Sequence, residues 1–162
     1  MAHLRRGEVK LFLKTFYNQF TALQDRQSYT FWEHYYHLSQ HKTHEEAWFL
    51  EQCRWMLAYE EGDTLELFRG LPRAYLARGK RVAVRGLVTH WGKLDLEAAS
   101  SGDAIDVRLA SERTPRRIAL RLPHPEGKKA LRVTAGSYDP ATETVYLEKV
   151  NAVALRIEFV NP

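Results

Sequence analysis

Along this chain the rhythm of the apolar residues changes once, and that change limits the folds open to it. Up to about residue 63 they recur at three- and four-residue spacing, and from Thr64 onward they alternate with polar ones. A side chain returns to one face of a helix every ~3.6 residues and to one face of a strand every second residue, so the two parts demand different structures. The spacing predicts helices first and strands after.

Between Glu8 and Gln24, the residues Val9, Phe12, Leu13, Phe16, Tyr17, Phe20 and Leu23 form one helical stripe. A second helix is expected from Thr43, an N-cap with Glu46 three residues on as a capping box, to about Glu61, where Gly62 stops it. Its apolar set, Ala47 to Leu50, Cys53 and Trp55 to Tyr59, covers most of the circumference. Such a helix wants cover on several sides, and a two-helix hairpin offers little. Oligomerisation, or helices supplied from elsewhere, is the expectation.

Alternation then marks Leu65/Leu67, Val82/Val84, Leu94/Leu96, Ile105/Val107/Leu109, Ile118/Leu120/Leu122, Leu131/Val133, Val145/Leu147 and Val153/Leu155/Ile157/Phe159. Turn chemistry separates them at Gly70-Leu71-Pro72, Gly79-Lys80, Ser101-Gly102-Asp103, Pro123 to Gly127 and Asp139-Pro140. The pattern predicts an antiparallel β-sandwich of about eight strands, with one helical turn at Pro72 to Leu76 joining the helical and strand regions. The fold class is α+β: residues 1–63 a helical hairpin, residues 64–162 the sandwich.

At 162 residues the chain is long enough for a core without staples, and Cys53, its single cysteine, has no internal disulfide partner. Flanked by Trp48, Trp55 and Met56, Cys53 reads as a buried small hydrophobe. The net charge of +4 arises entirely after residue 78. There Arg85, Arg108, Arg121, Arg132 and Arg156 take every-other positions among apolar residues, the pattern of a solvated sheet face. No nucleic-acid partner is expected. The start, Met1 to Arg6, lacks the apolar region of a signal peptide, and no run is long enough to span a bilayer. As it stands the chain reads as cytoplasmic with no membrane partner; a longer parent is open to export.

The richest chemistry lies in Tyr29-Thr30-Phe31-Trp32-Glu33-His34-Tyr35-Tyr36-His37, followed by His41 and His44. A carboxylate beside Trp32 and Tyr35 suits general-base work on a carbohydrate, because aromatic faces stack on sugar rings and partly desolvate the acid. The bland alternative makes Glu33 a surface or structural residue on an aromatic loop. His34, His37, His41 and His44 would share a face of an unbroken helix. With Ser39 to Thr43 reading as a loop and no HExxH or cysteine pattern nearby, no metal is expected. His90-Trp91 reads as packing in a turn, and no nucleophile elbow, phosphate loop or dinucleotide fingerprint calls for a cofactor.

A helix ending before Thr30-Phe31-Trp32-Glu33-His34-Tyr35, a Trp-rich helix, Leu65-Glu66-Leu67, Gly70-Leu71-Pro72 and a run of strands together resemble a known family. The order is similar to the C-terminal end of glycoside hydrolases built on an (α/α)6 toroid, of the α-L-rhamnosidase type. Leu120-Arg121-Leu122-Pro123 and Thr142-Glu143-Thr144-Val145 resemble that family's terminal sandwich. Thr30, Trp32 and Glu33 match its Thr-x-Trp-Glu segment, which implies Glu33 as general base, with Trp32, His34 and Tyr35 lining the sugar subsite. The family's Asn-His pair after the base is here His41-Lys42-Thr43-His44. The resemblance further implies a carbohydrate substrate and a partner, either the remaining toroid or a second copy. On these terms the isolated chain lacks the general acid and is inactive. The alternative is a stand-alone carbohydrate-binding or protein-interaction module.

Overall fold

The computed structural model describes residues 2–33, 39 and 42–159. They form two compact units, which divide between Met56 and Leu57.

The first unit is helical. α1 (Ala2–Arg5) leads through Gly7 into α2 (Val9–Leu23), and α3 (Thr43–Leu57) follows. The stripe read from the sequence is the packed face. Phe12, Phe16 and Met56 are buried with Leu4, and Leu13, Phe49, Cys53 and Trp55 lie against them. The rings of Phe16, Phe20, Phe31 and Phe49 form a cluster, with neighbouring centroids 5.2–6.4 Å apart. Gln19 links the helices by polar contacts: its amide donates to Glu45 at 2.9 Å, and Gln52 donates to its carbonyl at 3.1 Å. Cys53 is half-buried rather than buried, since α3 turns that side only partly toward α2. Burial raises its thiol pKa.

The helix expected to reach Glu61 ends at Leu57. Ala58–Glu61 is instead β1, paired antiparallel with β2 (Thr64–Leu67) across Gly62-Asp63. Gly62 takes a left-handed φ of 57°, so a two-residue turn is open here. A hairpin satisfies backbone groups and buries Ala58, Tyr59, Leu65 and Leu67, which a continued helix would not do together.

All eight strand patterns appear, with β1 and a short β8 added. After β2, a 3-10 turn at Arg73–Leu76 leads to β3 (Arg81–Thr89), β4 (Gly92–Ser100) and β5 (Ala104–Ser111). Then come β6 (Arg117–Arg121), β7 (Arg132–Val133), β8 (Ser137–Asp139), β9 (Thr144–Glu148) and β10 (Ala152–Glu158). They make two five-stranded sheets, ordered β1-β2-β6-β9-β8 and β3-β4-β5-β10-β7. One continuous core lies between them, lined by Leu65, Leu67, Ile118, Leu120 and Val145 from the first sheet and Leu94, Leu96, Val107, Leu155 and Ile157 from the second. The arrangement is sandwich-like.

Two expectations need correction. The sheets are not wholly antiparallel, because β2 and β6 run parallel, with Leu65 opposite Ile118 and Leu67 opposite Leu120. The chain leaves β2, builds β3 to β5 in the other sheet and returns beside β2 in the same direction, a crossover that parallel pairing requires. The 3-10 turn at Arg73–Leu76 therefore connects the two sheets, not the helices to the strands.

Candidate functional site

α2 ends where Gln24 becomes extended and bridges Phe31. Asp25 builds the reversal. Its carboxylate accepts from the Gln27 and Ser28 amides, both at 2.9 Å, while its own N–H donates to the Thr30 carbonyl at 2.9 Å. This is the local hydrogen bonding that makes Asp a turn former. Tyr29 sits at the tip with φ 58°.

The chain then returns along the end of α2. Buried Phe31 anchors it against Phe20 and Phe49, and the Trp32 N–H donates to the Leu23 carbonyl at 2.8 Å. On the far side, the Glu33 N–H donates to the Ser39 carbonyl at 3.0 Å, and the Lys42 N–H donates to the Phe31 carbonyl at 3.2 Å. Thus Thr30, Phe31, Trp32 and Glu33 are held between the last turn of α2 and the residue preceding α3. Apolar packing fixes Phe31, and its neighbours follow.

Glu33 is half-buried, with 29% of its side chain exposed, and its Oε2 lies 2.9 Å from the Lys42 ammonium. Lys42 was not singled out in the sequence; the eight positions between it and Glu33 carry no local signal for the pairing. In this geometry the carboxylate is a hydrogen-bond acceptor, the role a general base needs and a general acid does not. Trp32 is half-buried beside it. His34 and Tyr35, the other proposed subsite residues, lie outside the described residues, as do His37 and His41. His44 is on α3, 3.4 Å from Glu45. Among the described residues no group of three His, Cys, Asp or Glu could hold a metal ion, and no helix is long and apolar enough to cross a membrane.

The strand unit has its own charged centre. Glu143 follows the β8–β9 turn with φ 58°, and only 5% of its side chain is exposed. Arg73 donates to both of its oxygens, at 2.9 and 2.6 Å, and Arg121 and Lys129 approach at 3.4 Å. Burial alone would push this carboxyl up, but the Arg73 hydrogen bonds and charge, with Lys129 and Arg121, outweigh it and hold it below the usual range. Arg73 also donates to the His124 carbonyl at 2.7 Å, and Arg121 to the Leu71 carbonyl at 3.2 Å. Four separate segments are pinned through one carboxylate. The sequence hid this, since Thr142-Glu143-Thr144 read as ordinary strand.

His90-Trp91 forms the β3–β4 turn, and Trp91 packs on the sandwich core, as its position suggested.

No family model, no curated protein and no solved structure matches this chain.

Proposed function

We propose that the chain is the C-terminal portion of a glycoside hydrolase, a helical hairpin of an α/α toroid followed by its terminal sandwich, with Glu33 as general base. The observation that carries this reading is α3. Of its apolar residues only Met56 is buried, while Trp48 and Leu50 stay 51% and 66% exposed. A hairpin helix apolar on several sides is what a ring of hairpins requires of each member. The segment presenting Glu33 adds support. It follows a helix, is fixed by a buried aromatic anchor and holds an acceptor carboxylate next to Trp32.

In the intact enzyme Glu33 takes a proton from the water that attacks the anomeric carbon. A second carboxyl group, roughly 6.5–9.5 Å away in an inverting site, protonates the leaving oxygen. That acid belongs to other helices. Lys42 keeps Glu33 oriented and offsets its charge before the proton arrives.

The test is hydrolysis of aryl glycosides. The purified chain alone is expected to be inactive, and expressed with the hairpins that complete its toroid it is expected to gain activity. Glu33→Gln then lowers kcat by about 10²–10⁴. Turnover by the isolated chain, or a completed enzyme indifferent to Glu33→Gln, defeats the proposal.

A further inference from the structure

β3 is not a straight strand. Its register against β4 shifts between Val84 and Leu87, and within this bulge Gly86 adopts a left-handed φ of 61°. The Gly86 N–H donates to Asp95 Oδ1 at 2.7 Å, so a side chain of the neighbouring strand pins the irregularity. Bulges bend a strand and re-aim its side chains. Beside this one a groove of 380 Å³ opens on the solvent side of the second sheet.

Its polar lining comes from three strands: Arg81 and Arg85 of β3, Asp95 and Glu97 of β4, and Arg108 of β5. Glu97 pairs with Arg81 and lies 3.6 Å from Arg85. The Arg81 hydrogen bond, with the nearby Arg85 and Arg108 charges, holds Glu97 below the usual carboxylate range. Asp95 is engaged with the bulge amide. Arg108 stands directly across from Glu97 in the β4–β5 register, yet among the described residues its guanidinium makes no ion pair or hydrogen bond. Three guanidiniums face two carboxylates, an excess of one cation.

We propose that this groove binds a sugar acid, a pyranose-sized ligand carrying one carboxylate and several hydroxyls. The single unbalanced cation matches a monoanion, and the planar guanidinium fork of Arg108 suits a carboxylate in two-point contact. Glu97 and Asp95 supply acceptors for hydroxyl donors. No aromatic side chain lines the groove among the described residues, so a neutral sugar has no ring to stack on. The volume lies at the small end of the ~300–1,000 Å³ range of ligand sites, which suits one sugar unit. Choosing a sugar over another hydroxy acid rests on the glycosidase reading; the need for a carboxylate does not.

Titration of the full chain with D-glucuronate, D-glucose, lactate and sulfate, followed by amide NMR at constant ionic strength, tests this. Glucuronate is expected to give saturable shifts at Gly86, Glu97 and Arg108, with the other three at least about tenfold weaker. Arg108→Ala should weaken glucuronate about tenfold or more, the scale of one lost charged hydrogen-bonding contact. Arg116→Ala, which removes only the exposed pair with Asp63, should leave affinity unchanged. Absence of saturable glucuronate binding, an Arg108→Ala variant that binds normally while its thermal unfolding is unaltered, or sulfate binding as tightly as glucuronate would overturn the site. Lactate matching glucuronate overturns the sugar assignment. Glucuronate binding by a chain that confers no hydrolysis on a completed toroid sinks the glycosidase reading and leaves the groove standing.

Discussion

The helical unit and the strand unit solve the burial problem differently. The sandwich closes over its own core: Leu65, Leu67, Leu94, Ile118, Leu120, Val145 and Ile157 are each inaccessible to solvent, and a buried carboxylate pins its loops. The helical unit buries Leu4, Phe12, Phe16 and Met56 as its core, and much of α3 remains exposed. Two sheets face to face shield both inner surfaces, whereas two helices shield one stripe each. Aromatic content is thus a poor guide to self-sufficiency. The aromatic-rich unit is the less fully buried one.

The sharpest way to break this comparison is a core truncation in each unit, with Trp91 reporting on the sandwich and Trp48 and Trp55 on the helices. Leu120→Ala is expected to cost about 4 kcal/mol in denaturant unfolding read at Trp91. Phe16→Ala should leave that transition in place. If Phe16→Ala shifts the Trp91 transition equally, the two units are one cooperative structure.

Glu143→Gln comes next, at about 3 kcal/mol, because it leaves Arg121 buried and poorly compensated. The sign of the pH dependence follows from the depressed carboxyl. Its stabilisation is fully present above the unfolded-state value, about 4.3, and is lost as pH falls from there through the lower folded-state value. Sandwich stability measured from neutral to acid pH should therefore fall more steeply in the wild type than in Glu143→Gln. Parallel profiles would show that Glu143 gains nothing from its cationic neighbours.

Lys42→Met should cost the helical unit no more than about 1 kcal/mol, since both partners keep partial contact with water. A larger loss in the helical transition would make Lys42 a structural pin rather than a charge partner for Glu33. The smallest effect expected is from Trp48→Ser with Leu50→Ser, within about 0.5 kcal/mol for the unfolding of the isolated chain. The same pair should reduce self-association in sedimentation velocity. A stability loss several times larger would mean that these side chains are already covered, and the contrast between the units would fail.

Alternation made the strands legible. Val82 and Val84, or Ile105, Val107 and Leu109, could face a core only as strands, and each lies in one. α2 was legible for the same reason, with its stripe from Phe12 to Leu23. Ala58 to Glu61 was not, because its apolar start continues the run of α3, and only pairing with Thr64 to Leu67 separates strand from helix. Thr30, Trp32 and Glu33 stood out by residue type, but nothing local announced Lys42 as the partner of Glu33 or Arg73 as that of Glu143.

Apart from Ala58 to Glu61, the amino-acid order set which segments are helical or extended, where most turns fall and which faces are apolar, since these depend on side-chain period and on Gly, Pro and Asp within a few residues. Tertiary contacts alone set the parallel return of β6 beside β2, the bulge at Gly86 and the pairing of Glu143 with Arg73. Those outcomes join positions far apart in the chain, and their energies exist only once the elements have met.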